Sequence, residues 1–234
     1  MSHLHIPDGV LPVPVWVAGM LLAVLALWFA TRGHEAGGPR AIALRSALAG
    51  VMLVIMAVPV PITAFDYCMT LAGPVGVLLG AAGAMQVSFV VTLILALMGQ
   101  GGFTVIGLNT IVLGAGAAIA RPAYLWMLGP LRPAGAMAAA TAVSQVFSSV
   151  LWVALLWLSV RLMPAAASQH EISEGLRWMK GGILLSVLLP LLGLAVGIES
   201  LLGYGFARFL DRVRPDLLPR AREQAAVPVE AARP

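Results

Sequence analysis

The chain has 234 residues, of which 60% are hydrophobic and only 10% charged, with a formal net charge of +4. A soluble domain carries roughly 25% charged residues, so this composition cannot cover a water-facing surface and lipid must be the main solvent. No basic stretch interleaves with aromatics outside the segments flanking the apolar runs, which excludes nucleic acid as a partner, and a single cysteine, Cys68, excludes an internal disulfide or a Cys-x-x-Cys metal ribbon.

The chain opens Met1-Ser2-His3-Leu4-His5 with no basic n-region ahead of its first apolar run, so no cleavable signal peptide is expected. Apolar runs predict membrane spans near 13–31, 41–60, 68–83, 85–98, 105–124, 135–163 and 180–207. The third and fourth are short and Gly-rich. The expected fold is therefore an all-α polytopic transmembrane bundle of about seven helices in the plasma membrane. Residues 1–210 are expected to form one transmembrane domain, and residues 211–234, rich in Arg, Pro and Ala, a polar cytoplasmic tail.

Charge orients the bundle. With seven spans, one set of loops holds Arg32, Arg40, Arg45, Arg121, Arg132, Arg208, Arg212, Arg214, Arg220, Arg222 and Arg233. The other holds only Arg161, Arg177 and Lys180. The C-terminus is thus expected in the cytoplasm and the N-terminus outside. Gly73, Gly76, Gly80 and Gly83, then Gly107, Gly114 and Gly116, give small faces that permit close helix approach. They serve either packing within the bundle or docking of a partner helix.

Polar residues in apolar spans are costly and mark candidate sites. Asp66 and Cys68 lie in a break between two spans, where Asp66 is either a helix N-cap or a ligand. Gln86, Asn109 and Gln145 are expected as interhelical hydrogen-bond donors and acceptors. Glu199, in the last span, is expected to pair with an arginine such as Arg208. His34 and His170 fall in loops. The N-terminus is chemically distinct. Two histidines and an aspartate lie within eight residues of a free amine, directly before a span. An amine, a deprotonated amide and an imidazole close adjacent chelate rings in a square plane that suits Ni(II) and Cu(II) and accommodates Co(II). The alternative is a tail that bears histidine incidentally.

His5-Ile6-Pro7-Asp8-Gly9, followed by Val10-Leu11-Pro12, resembles the amino terminus of the CbiM/NikM family, the substrate-specific membrane components of energy-coupling-factor transporters for cobalt and nickel. Leu78-Leu79-Gly80, Gly99-Gln100-Gly101-Gly102-Phe103-Thr104, Gly107-Leu108-Asn109 and Gly197-Ile198-Glu199 with Arg208 are similar to later family segments in order and spacing, covering about residues 5–210. The resemblance implies a site made by the N-terminal amine, the second residue's amide and imidazole, and a distant histidine.

This chain departs twice from that pattern. Four residues precede the His5 motif instead of one, and Tyr67 stands about where the distant histidine belongs. Three repairs of the site are chemically possible. With Met1 retained, the amine, the Ser2 and His3 amides and the His3 imidazole suffice. With Met1 removed, Ser2 and His3 supply the terminal set, and His5, Asp66 or Cys68 completes it. A start at codon 4 would transfer the role to His5.

No Walker A motif, Gly-x-Ser-x-Gly elbow or His-Glu-x-x-His pair is present. The chain is therefore expected to be a transport subunit without catalysis or an intrinsic cofactor, carrying Co(II) or Ni(II) as substrate. The resemblance implies a transmembrane coupling subunit, two cytosolic ATP-binding-cassette ATPases and, in some members, a small accessory membrane protein. Cobalt for cobalamin biosynthesis is the favoured cargo. A different small substrate, or a purely assembling role, are the competing expectations.

Overall fold

The computed structural model describes residues 11–32, 38–58, 60–62, 65–162 and 183–219. Its helices are α1 (Val13–Arg32), α2 (Pro39–Ala57), α3 (Ala72–Leu97), α4 (Ile106–Met127), α5 (Pro133–Leu162) and α6 (Ile183–Val213). All six are long and apolar enough to cross a membrane. A short antiparallel hairpin, β1 (Val60–Ile62) and β2 (Phe65–Tyr67), separates α2 from α3 in the register Val60↔Tyr67, Pro61↔Asp66, Ile62↔Phe65. The apolar residues point both ways. Met52, Val91, Leu95 and Ala117 are buried, while Leu21, Phe29, Val54, Val150 and Leu201 are exposed, as befits helices whose outer faces meet lipid.

The spans expected over 68–83 and 85–98 are one apolar element, α3, interrupted at Gly80 with φ +68° and ψ −179°. Only glycine reaches that conformation cheaply. The two runs on either side approach α4 in opposite senses. In the first, Gly76 lies against Ala117 and Gly80 against Arg121, so both numbers rise together. In the second, Met85 lies against Gly114 and the Thr92 and Thr110 hydroxyls are 2.9 Å apart, so one number rises as the other falls. The chain therefore doubles back at Gly80. The first run, Ala72 to Leu79, is about 12 Å long at 1.5 Å per residue, short of a full crossing. It is nevertheless the centre of the molecule. Gly73 packs on Thr141 of α5, which also meets Gly203 of α6, and Val77 shares a core with Tyr124, Met137 and Ala207.

The glycines act inside the bundle. Gly73, Gly76, Gly80, Gly83, Gly107, Gly114 and Gly116 are all buried, and a Cβ on Gly76 would overlap the Ala117 carbonyl while one on Gly107 would meet the Met20 backbone at 2.5 Å. Of the two uses left open by the sequence, internal packing is the one observed at these positions. With lipid as solvent there is little hydrophobic drive between helices, so close van der Waals contact and interhelical hydrogen bonds hold them. Ser148 Oγ of α5 donates to the Val112 carbonyl of α4 at 3.0 Å beside Gly116. On the opposite side Leu48, Met52 and Met56, one helical turn apart on α2, pack against Val87, Val91 and Leu95 of the second α3 run.

Beyond α6, Arg214 holds Asp216 in a fork of 2.9 and 2.8 Å, and the guanidinium keeps that carboxyl below its ordinary range. Both groups are in water, so the pair contributes little to stability. The helix ends carry cation–aromatic pairs: Arg32 lies 3.8 Å from the Trp28 ring centroid on α1 and Arg161 4.8 Å from that of Trp157 on α5.

The packing separates glycines that cannot change from those that can. Gly76→Ala must displace α4 and is expected to cost several kcal/mol, on the order of an overpacked core or more. Gly197→Ala, which meets nothing within 4 Å, should be neutral or gain up to about 1 kcal/mol of helix propensity. Thermal unfolding of both variants in detergent, monitored by circular dichroism, checks the contrast.

Candidate functional site

Between the end of α2 and the start of α3 the backbone is extended, and extended backbone in a membrane bundle must find internal hydrogen-bond partners. Glu199 supplies them. It sits near the middle of the apolar stretch Leu189–Val213 of α6 and is fully buried. Its Oε1 accepts the Thr70 N–H, its Oε2 accepts the Leu71 N–H at 3.2 Å, and the Tyr67 hydroxyl donates to Oε1 at 3.3 Å. Tyr67 also lies 3.4 Å from the Ala195 carbonyl one turn earlier. Thr70 Oγ1 accepts the N–H of Ala72 at 3.2 Å.

The carboxylate thus occupies the N-terminus of α3, where unpaired N–H groups and the helix dipole favour negative charge. The residue at that terminus, Leu71, is left-handed at φ +52°, ψ +18°, a conformation costly for a branched side chain. Two charge-assisted hydrogen bonds flanking it offset that cost.

Three expectations are corrected here. Glu199 does not pair with Arg208; that guanidinium contacts the Tyr204 hydroxyl at 3.4 Å on the exposed surface, while the carboxylate turns inward to the hairpin. Asp66 is not a helix N-cap, because it lies in β2 and the N-cap of α3 is Leu71. Gln145 makes no interhelical bond through its side-chain nitrogen among the described residues: Nε2 is buried without a partner there, as are Ser149 Oγ and Trp152 Nε1 further along α5. Gln86 behaves as expected, donating to the Ala30 carbonyl of α1 at 3.4 Å and accepting from Arg45 of α2 at 3.1 Å. Asn109 is buried.

Of the candidate ligands, Asp66 and Cys68 flank Tyr67 in the tethered segment. Cys68 is buried at 5% exposure. Ser2, His3 and His5 lie outside the described residues, as do His34 and His170. Among the described residues no three His, Cys, Asp or Glu side chains converge on one point. The described chain nearest the N-terminus is informative: Leu11 and Val15 pack with Val105 and Leu108 against Trp152. Trp152, Ser149 and Gln145 recur at helical spacing, so their buried donors share one face of α5.

Residue identity pointed to Glu199, an acid deep in the last span, whereas Asp211 lies at the end of the same helix. The partners of Glu199 could not be anticipated, because two are backbone N–H groups more than a hundred residues away. Removing the carboxylate leaves those N–H groups unpaired in a dry interior. Glu199→Ala is expected to cost about 3–5 kcal/mol, Tyr67→Phe about 1 kcal/mol, and Glu199→Gln an intermediate amount. Unfolding midpoints in detergent, with protease sensitivity of segment 58–71, would reveal the series; a Glu199→Ala variant as stable and protected as the parent would dismiss the tether.

The chain matches the family model described as the cobalt uptake substrate-specific transmembrane region over residues 5–217. Two solved structures share its fold. One, described as a truncated transition metal transporter, superposes with a TM-score of 0.73 at 19% identity, covering 89% of this chain and 98% of the other. The second, described as a transition metal transporter, also reaches 0.73, at 17% identity with 89% and 93% covered. No protein of curated function matches the chain at a significant level. The family match spans nearly the whole sequence, and the chain therefore belongs to the CbiM family, the non-catalytic, substrate-binding membrane components of cobalt- and nickel-type energy-coupling-factor transporters.

Proposed function

We propose that this chain captures Co(II) or Ni(II) at the outer face of the plasma membrane for ATP-driven uptake, with the ion held chiefly by nitrogens of its own N-terminus. The family match over residues 5–217 carries the reading. Ser2 and His3, or His5, supply the amine, amide and imidazole donors, and Asp66 or Cys68, in the segment tethered to Glu199, completes the set where the terminus leaves it incomplete. Two features of the bundle support this arrangement. Leu11 and Val15, which follow the proposed terminal ligands in sequence, pack with Val105 and Leu108 beside Trp152 of α5. Tyr67 is engaged as a hydrogen-bond donor to Glu199, and a phenol with an ordinary pKa of about 10 is a poor nickel or cobalt ligand at neutral pH. The terminal nitrogens then carry most of the affinity.

The bundle is oriented with its N-terminus outside and its C-terminus cytoplasmic. If each run of α3 counts as one traverse, full or partial, the described residues make seven, and Arg32, Arg40, Arg45, Arg121, Arg132, Arg208, Arg212 and Arg214 fall towards one end, the cytoplasmic one by the positive-inside rule. Residues 1–210 form the capture domain and 211–234 a cytoplasmic tail. Energy comes from two cytosolic ATPases acting through a transmembrane coupling subunit, with a small accessory membrane protein in some assemblies, and the imported cobalt feeds cobalamin synthesis. A reporter fused after Pro234 should be active only in the cytoplasm; activity in the periplasm would reverse this topology.

Isothermal titration of the full chain with Ni(II) and Co(II) tests the capture chemistry. Acetylating the terminus removes a donor and is expected to weaken binding at least tenfold, as is joint replacement of His3 and His5 by alanine. Protons compete for imidazole, amine and amide, so affinity should fall as the pH drops from about 8 to about 5, through the ordinary histidine pKa of about 6.5. Unchanged binding after acetylation, or an affinity flat across that range, would move the ion to carboxylates or point to a different small substrate.

A further inference from the structure

A groove of about 460 Å³ runs between α2 and the second run of α3. Ala49, Gly50 and Leu53 form one wall, Val90, Val91 and Ile94 the other, and Arg45 with Gln86 closes one end. The closing pair is built. Gln86 is fixed by its bond to the Ala30 carbonyl and presents Oε1 to Arg45 Nη1 at 3.1 Å, while Gly83 leaves room for the guanidinium, with Nε 3.6 Å from where its Cβ would be.

Arg45 lies six residues inside α2, about 9 Å from Pro39 along the axis. An arginine at that depth in an apolar span is costly without a counter-charge. Its partner is a neutral amide, and among the described residues the one ion pair, Arg214–Asp216, lies elsewhere. The opposite wall is apolar down to Ile94, eight residues or about 12 Å beyond Gln86, and Val90 is 43% exposed. A cation at the head of an apolar groove open to lipid complements one kind of molecule: an amphiphile with an anionic head and a hydrocarbon tail. A second groove, between α5 and α6, is lined by Val146, Ser149, Val150, Leu189 and Val196, among others, and has no charged residue, so it lacks this complementarity.

We propose that this groove is a binding site for an anionic phospholipid, its phosphate on Arg45 and one acyl chain along Ala49, Leu53, Val90 and Ile94. The lipid supplies the counter-charge that the protein does not and fills the space between α2 and α3. The site is independent of which ion the chain carries. Basic pockets between transmembrane helices on the cytoplasmic side are a recurrent setting for such headgroups.

The test is native mass spectrometry of the full chain in detergent, titrated with phosphatidylglycerol or phosphatidylcholine of matched chains. The parent should retain phosphatidylglycerol at least fivefold more than phosphatidylcholine. Arg45→Gln should abolish that preference and Arg45→Lys preserve most of it, which separates charge from folding. Gly50→Phe, at a position with nothing within 4 Å, should fill the groove and lower phosphatidylglycerol retention while leaving the melting temperature in detergent unchanged. Equal retention of the two lipids by the parent, or full retention by Arg45→Gln, overturns the proposal. So does a Gly50→Phe variant that keeps the lipid but fails to assemble with the transmembrane coupling subunit, since the groove would then be a protein interface.

Discussion

A carboxylate in the dry middle of a membrane bundle must be paired, and the way Glu199 is paired organises the molecule. It takes the N–H groups of Thr70 and Leu71 and the hydroxyl of Tyr67, so an extended loop is drawn to the centre of α6. The same groups would be orphaned without it, since no water is available there to replace them. One acid therefore satisfies a broken backbone, anchors a hairpin and sets the depth at which α3 begins. Such pairing of a half-helix N-terminus with an anion recurs where membrane proteins interrupt helices near the midplane.

A helix starting at mid-depth has little room before it leaves the bundle, and the sequence of α3 answers that constraint. Ala72 to Leu79 is short, and Gly80 turns the chain back with a positive φ. Gly73 and Gly76 let the short run press against the backbones of α5 and α4. Its stability comes from contact on several sides, since eight residues could not hold a helix alone. The polar cost at its start and the close packing along its length are parts of one solution: Glu199 fixes the terminus, and the glycines supply the contact.

For the proposed capture chemistry, this rigidity sits next to the candidate ligands. Asp66 and Cys68 lie on either side of a tyrosine tied to α6, so ligands at those positions would be held by a fixed backbone. The terminal nitrogens proposed as ligands precede Leu11 and Val15 in sequence, and these two pack beside Trp152. A chelate closed by adjacent nitrogens of one chain end needs few distant donors, which fits a chain with tyrosine where a histidine is expected.

Much of this was legible in one dimension. Composition determined the membrane class, because the cost of exposing apolar surface depends on content and not on arrangement. Apolar runs located α1, α2, α4, α5 and α6 to within a few residues at most ends, and they gave two short Gly-rich spans, 68–83 and 85–98, where the structure has α3 broken at Gly80. The His5-Ile6-Pro7-Asp8-Gly9 motif pointed to the family before any coordinates. The partners of Glu199 were beyond reach: a buried acid advertises that it needs donors but not which ones, and arginine nine residues along the same helix was the local guess. The donors that won are backbone groups, which carry no residue signature. Whether a glycine faces a partner helix or its own bundle likewise depends on which helices surround it. Only the tertiary structure decided these points, because hydrogen bonds and close contacts are settled by proximity in space, whereas sequence records the chemistry of each residue and its neighbours along the chain.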